Sequence, residues 1–344
     1  MKLLVVVRFG LLAAAFAAIT TASVGATAGT LSIPAGVAVV TPTKELRFDV
    51  APNGLAVDAG RAATIAGVWT PATGKVVPIV VPCDNEVHDH VVAGRRSGAV
   101  CHENLNRMGY EGAVISGPGS AVNRSLWVIR YDLDGEGPEG VVNDDSAHLD
   151  LAGGGALIVG VGNSSRSHDL WRIDLQGHTR LRSYPRNGEV VLFNVDASRI
   201  LMRPSPGRLE VVSASGSVLA QPSVRVDEAV LRGSRIVTRR GMALVVTDLT
   251  GRALARWAIA PGSTLEDARG DLVVLRRNER LRLLRLSDGH SVTLRLPGQT
   301  GSAWGRLDET GLFYTYGSSG AKAGIVGWVA AAKLPTLLRG ATSS

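Results

Sequence analysis

The sequence predicts an all-β protein, a β-propeller of about seven four-stranded blades. Three observations carry the prediction. From about residue 145 onward, apolar β-rich runs of four to eight residues alternate with breaks of Gly, Asp, Asn and Ser. The glycines of one recurring turn, Gly177, Gly216, Gly251 and Gly289, are spaced 39, 35 and 38 residues apart. No amphipathic helical pattern longer than about two turns occurs in the mature chain outside residues 330–339. Four short strands every 35 to 40 residues is a blade period. One four-stranded sheet cannot bury both of its faces, so blades must stack on one another. A β-sandwich followed by a second β domain would explain the alternation but not the even glycine spacing.

The elements follow in chain order. Lys2 and Arg8 precede the apolar run Phe9 to Ile19, and the small residues of 24–28 fit a signal-peptidase site. Residues 1–28 are therefore expected to be a signal peptide, with the mature chain starting near Thr27 or Gly29. The alternative is an uncleaved anchor, although Leu3 to Ala18 is short for a membrane span and is broken by Arg8. Residues 29–44 are expected to be a linker, 45–335 the propeller and 336–344 a C-terminal tail. The run Glu45 to Val50 reads as a strand left over from the first blade. It is expected to complete the last blade and close the ring, removing an exposed edge.

The expected blades are 54–81, 87–132, 147–183, 189–221, 226–259, 264–296 and 302–329, the last short of one strand. The clearest copy is 226–259, where Gly233-Ser234, Arg239-Arg240-Gly241 and Thr250-Gly251 separate four apolar runs. Gly is wanted in such turns because hairpins need positive φ. Gly74 marks the same turn in the first copy. Six or eight blades stay open, because boundaries near residues 100–145 are weak.

Composition bounds the partners. The chain has 344 residues, 45% of them hydrophobic and 19% charged, enough apolar content for a real core. Its net charge is +7, but 32 of the 37 basic residues are arginines in an Ala- and Gly-rich sequence, which reflects codon usage as much as function. Basic residues are not interleaved with aromatics, so nucleic-acid binding is not expected. No later segment is long enough to span a membrane as a helix. A monomer is expected.

Cys83 and Cys101 are the only cysteines. In an exported chain they read as one disulfide. A zinc site formed with His88, His90, His102 and neighbouring glutamates is the sharper alternative. Asp132-Leu133-Asp134-Gly135-Glu136-Gly137 resembles part of a calcium loop but has Asn143 where the bidentate Glu should stand. The sequence therefore assigns no metal, and it implies no cofactor.

Segments such as Leu170-Trp171-Arg172-Ile173-Asp174-Leu175-Gln176-Gly177 and Leu244-Val245-Val246-Thr247-Asp248-Leu249-Thr250-Gly251 resemble the third strand and turn of bacterial PQQ-like and WD40-like propellers. The ending Gly311 to Tyr316 is similar to the last blade of exported actinobacterial propellers. The resemblance covers roughly 45–335. It implies a propeller fold and a binding-type role. The six tryptophans do not repeat at one blade position, which departs from the tryptophan-docking pattern of the quinone enzymes. The Gly-His and Trp-Asp framework of eukaryotic WD40 repeats is absent.

In a propeller, the loops joining strands two and three share a face with the loops between blades. That groups Arg203 and Arg208, Arg239 and Arg240, and Arg276, Arg277 and Arg280 with Asp144, Asp145, Asp227, Glu228, Glu266 and Asp267. Arginine forks match carboxylates and phosphates, so this face is the candidate ligand mouth. The plainer reading is salt bridges that orient neighbouring blades. No G-x-S-x-G elbow or phosphate-binding loop is present, and the histidines have no evident partner order. Catalytic residues are therefore not assigned. The function expected is a non-catalytic binding or scaffold module, outside the cytoplasm, for a cell-envelope protein or glycan. The alternative is an exported propeller enzyme (hydrolase, lyase or quinone-type dehydrogenase) using Asp144, Asp145, Asp227 and Glu266 over the channel.

Overall fold

The computed structural model describes the strand segments named below, Val190, and residues 199–318 and 324–340. Side chains are described only from Ser167 onward. The described strands form seven sheets, nearly all antiparallel meanders. Ahead of them in the chain lies β1 (Gly29–Ser32). The first sheet is β2 (Phe48–Ala51), β3 (Gly54–Asp58), β4 (Ile65–Thr70) and β5 (Lys75–Val77). The second is β6 (Glu86–Ala93), β7 (Arg96–Leu105), β8 (Met108–Ser116) and β9 (Asn123–Asp132). The third is β10 (Asp150–Ala152), β11 (Leu157–Asn163), β12 (Ser167–Asp174) and β13 (Gly177–Pro185). The fourth is β14 (Val191–Asp196), β15 (Arg199–Ser205), β16 (Arg208–Ser213) and β17 (Val218–Ala220). The fifth is β18 (Glu228–Arg232), β19 (Arg235–Arg240), β20 (Ala243–Asp248) and β21 (Ala253–Ala258). The sixth is β22 (Thr264–Arg269), β23 (Leu272–Arg277), β24 (Arg280–Arg285) and β25 (Ser291–Arg295). The seventh has only β26 (Gln299–Leu307), β27 (Gly311–Ser318) and β28 (Gly324–Ala330), and a helix, α1 (Leu334–Gly340), follows it.

The first strands of successive sheets lie beside one another in chain order, β2 to β6, β10, β14, β18, β22 and β26. Each sheet therefore stacks face to face on the next, and the core lies between sheets. Trp257, Leu244 and Val246 of the fifth sheet pack with Leu265, Val273 and Leu275 of the sixth. Leu201, Leu209 and Val211 of the fourth pack with Leu231 and Ile236 of the fifth. Middle strands are accordingly buried on both faces: Ile236, Val237 and Thr238 in β19 are all inaccessible. The outermost β21 has four exposed residues in six. This burial gradient from inner to outer strand is what radial stacking imposes.

The repeating glycine has its expected geometry. Gly216, Gly251 and Gly289 have φ of +88°, +89° and +71° between the third and fourth strands of their sheets. Gly216 is doubly constrained, since a Cβ there would lie 2.6 Å from the carbonyl oxygen of Leu181 in the preceding sheet. Gly216→Ala should therefore destabilise the fold by about 1–3 kcal/mol. The check is urea unfolding beside Gly233→Ala, where φ is also positive but nothing lies within 4 Å. Equal losses in the two variants would show that the contact with Leu181 contributes nothing.

The N-terminal strand is not where the sequence puts it. The expected ring-closing run Glu45 to Val50 overlaps β2, which pairs with β3 as the first strand of the first sheet. A two-residue connection, Pro52-Asn53, makes that hairpin local, whereas pairing with the last sheet would close a loop of most of the chain. The segment that joins a distant sheet is β1, which runs parallel to β25 with Gly29 opposite Val292 and Ser32 opposite Arg295. It gives the sixth sheet a fifth strand, from within the expected linker. Among the described residues the last sheet has three strands. Leu334 and Leu338 at its C-terminal end join the shared core of Leu283, Val292 and Leu294 with Leu312 and Tyr314. Cys83 lies outside the described residues, and Cys101 is placed only as backbone in β7, opposite Val87 and Gly112. Asp134 to Asn143 also lie outside them.

Candidate functional site

The turns joining second to third strands in the fourth, fifth and sixth sheets are tight, two residues each. Arg277 pairs with Arg280 across Asn278 and Glu279, which have φ of +47° and +65°. Left-handed geometry at both central residues is that of a type I′ turn, and it holds the two arginines side by side at the tip. Arg240 pairs with Ala243 across Gly241 and Met242, a two-residue turn in which Gly241 alone has positive φ, at +55°. The inter-blade loops come to this end as well: Asp227 N–H donates to the Arg239 carbonyl at 2.8 Å, and Ile259 N–H to that of Met242 at 2.8 Å.

Three of the expected arginines hold one equivalent position in three successive sheets. Arg203 stands opposite Val191, Arg239 opposite Glu228, and Arg276 opposite Thr264. Their partners differ. Arg239 forms a fork on Glu228, with Nε to Oε2 at 2.6 Å and Nη2 to Oε1 at 2.9 Å, and reaches Asp227 at 3.1 Å. The hydrogen bond to Glu228 raises the Arg239 pKa above its ordinary value against the opposing effect of burial. Glu228 also accepts the backbone N–H of Leu265 in the next sheet, and Asp227 accepts that of Gly241 at 2.8 Å. Arg276 donates to Glu266 at 2.7 Å and lies over the ring of Trp304, 4.0 Å from its centroid. Arg203 donates to the Val226 carbonyl at 3.0 Å and stands 5.8 Å from the Phe193 ring.

Arg240, Arg277 and Arg280 are exposed, as are Met242 and, at 42%, Trp304. Asp144 and Asp145 lie outside the described residues. Of the four carboxylates grouped over the channel, Asp227 and Glu266 are thus engaged by different arginines on different sheets. Among the described residues no group of three His, Cys, Asp or Glu side chains is placed to hold a metal ion.

The face is therefore built in two tiers. The lower tier is a set of arginine–carboxylate pairs that tie loops to first strands and sheet to sheet. The upper tier is exposed: guanidinium groups at turn tips, Met242, and the Trp304 platform braced by Arg276. Such a surface presents cations and flat apolar area together, suited to binding anionic or ring-bearing partners.

Sequence reasoning missed Trp304, Asn194 and Glu210, and it put Asp267 on the turn face rather than between sheets. Trp304 was not singled out, although a tryptophan in the first strand of the last sheet was a visible signal. Asp267 and Asn194 each follow a bulge in a first strand, which turns the side chain toward the next sheet. Asn194 forms two hydrogen bonds with the Leu231 backbone, at 2.8 and 3.0 Å. A polar residue set between Phe193 and Val195 in an inner strand was the signal for Asn194. Glu210 is 1% exposed in β16, beneath Arg208, which donates to it at 2.7 Å.

No protein-family model and no curated protein matches the sequence. Solved structures do. The β-propeller domain of Myceliophteria thermophila Cps50 (Swd1) is 14% identical, over 86% of this chain and 98% of that one, with a TM-score of 0.49. The AfRom2 CNH domain is 10% identical, over 83% and 94%, with a TM-score of 0.52. Kluyveromyces lactis Hsv2 is 11% identical, over 81% and 90%, also with a TM-score of 0.52. At these identities the likeness concerns the fold alone. Together with the stacked meander sheets, the likeness to the two structures at a TM-score of 0.52 makes this chain an all-β propeller.

Proposed function

We propose that the protein is a non-catalytic binding or scaffold module, exported after loss of residues 1–28, that engages a cell-envelope protein or glycan through the face carrying the second-to-third strand turns. The proposal includes a monomeric mature chain and kinship with exported bacterial propellers of the PQQ-like and WD40-like kind. The observation that carries it is the division of labour among the arginines. Arg239 and Arg276 are consumed in pairs that hold the loops still, while Arg240, Arg277 and Arg280 stand exposed at fixed turn tips. A rigid ring with preorganised contact groups loses little entropy on binding. No helix among the described residues is long and apolar enough to cross a membrane.

The test is site-specific photo-crosslinking in the native envelope. A crosslinker at Arg277 should capture a discrete partner, and one at the exposed outer-strand residue Leu219 should not. Arg240→Glu with Arg277→Glu should weaken binding of the captured partner at least tenfold with an unchanged melting temperature. Crosslinks from Leu219 alone, or a double variant that binds like the wild type, would reject this face.

A further inference from the structure

Between the fifth and sixth sheets lies a half-open cavity of about 160 Å³, with exposed Ala258 at its rim, that is separate from the arginine–carboxylate pairs described above. Its walls are Ile259, Leu275 and Leu284, with Ala260 at the inter-blade loop, and its polar end is Arg282 with Ser291. Ile259, Leu275 and Leu284 are buried, at 7%, 2% and 1% exposure. Ser291 is 1% exposed.

Arg282 differs from the other inward-reaching arginines of this region. Arg232, Arg239 and Arg276 each hold a carboxylate. Arg282 holds none among the described residues; its Nε donates to Ser291 Oγ at 2.9 Å, and its Nη2 reaches the same oxygen. Burial, and secondarily the charge of Arg277, push its pKa down, and among the described residues no carboxylate offsets its charge. A guanidinium has five N–H donors, and two go to one hydroxyl. Because Ser291 Oγ accepts from Arg282, its own proton is available to a further acceptor.

We propose that this cavity binds the carboxylate of a short aliphatic acid, with Arg282 and Ser291 holding the carboxylate and Ile259, Leu275 and Leu284 enclosing the alkyl chain. A planar carboxylate fits the planar fork with both oxygens satisfied. A tetrahedral phosphate or sulfate brings further charged oxygens, for which the apolar walls Ile259, Leu275 and Leu284 offer no donor. At about 30 Å³ per water in the liquid, the volume corresponds to about five waters, or an acid of about five or six heavy atoms. The inference does not depend on the proposed function of the turn face.

Isothermal titration of the signal-free protein with butyrate, and separately with inorganic phosphate at equal ionic strength, tests it. Butyrate should give a saturable isotherm and phosphate none. Arg282→Gln should weaken butyrate binding at least tenfold. Ala260→Leu, which narrows the cavity and leaves the arginine in place, should do the same and serves if the arginine variant does not fold. Identical isotherms for the wild type and Ala260→Leu, tighter binding of phosphate than of butyrate, or no saturable heat with butyrate would each overturn the proposal.

Discussion

Replacing Asp267 with Ala should cost about 3–5 kcal/mol of folding stability, the range for removing one partner from a buried ion pair. Asp267 is 1% exposed, in the first strand of the sixth sheet. It accepts hydrogen bonds from three directions: Nη2 of Arg232 in the fifth sheet at 2.9 Å, its neighbour Ala268 N–H at 2.8 Å, and Leu307 N–H in the seventh sheet at 2.8 Å. One carboxylate thus joins three consecutive sheets at their inner edge. Alanine would leave a guanidinium that is 21% exposed without its counter-charge, and a buried backbone donor without an acceptor. Asp267→Asn keeps an oxygen for Leu307 but loses the charge facing Arg232, so an intermediate loss is expected. Chemical denaturation of the two variants is the measurement. A loss below about 1 kcal/mol for Ala would mean that water or another carboxylate takes over the site.

That junction also shows what could be read from the sequence and what could not. The last four sheets lie close to their expected segments because each strand is a short apolar run with a Gly turn at its end, and both signals are local. The arginines of the turn face were legible for the same reason, as they sit at fixed offsets from those turns. Their partners were not legible. Glu266 and Asp267 are adjacent in sequence, yet Glu266 binds Arg276 within its own sheet and Asp267 joins the sheets on either side. The bulge between Leu265 and Asp267 decides this, and a bulge is a register event set by tertiary pairing. The N-terminal strand failed for the complementary reason. The run expected to close the ring has a local partner two residues further along the chain, which outcompetes a distant one on loop-closure entropy. Arg282 was invisible because one more arginine in an arginine-rich chain carries no signal until its place beside Ser291 and the apolar walls can be seen in three dimensions.

Glu210→Ala is expected to cost about 2–3 kcal/mol and to alter the titration of a single tyrosine. Glu210 is 1% exposed, on β16 of the fourth sheet. It accepts from Tyr184 Oη at 2.9 Å, Arg208 Nη2 at 2.7 Å and Gln221 Nε2 at 2.9 Å, with Arg182 Nε at 3.6 Å. Arg182 also donates to Tyr184 Oη at 3.0 Å, so the phenol passes the contact on to the glutamate. The expected loss is smaller than at Asp267 because Arg208 and Arg182 are 49% and 30% exposed and can turn to water. The phenol cannot. Burial first, and then the negative charge of Glu210, hold the Tyr184 pKa above its ordinary value. Removing that charge should bring the phenol's titration down in pH while burial keeps it above an exposed tyrosine. Spectrophotometric titration of Glu210→Ala against wild type, with Tyr184→Phe to assign the signal, separates the two causes. If the assigned tyrosine titrates at the same pH with and without Glu210, desolvation alone sets it. The network would then contribute through hydrogen-bond geometry between the third and fourth sheets rather than through charge.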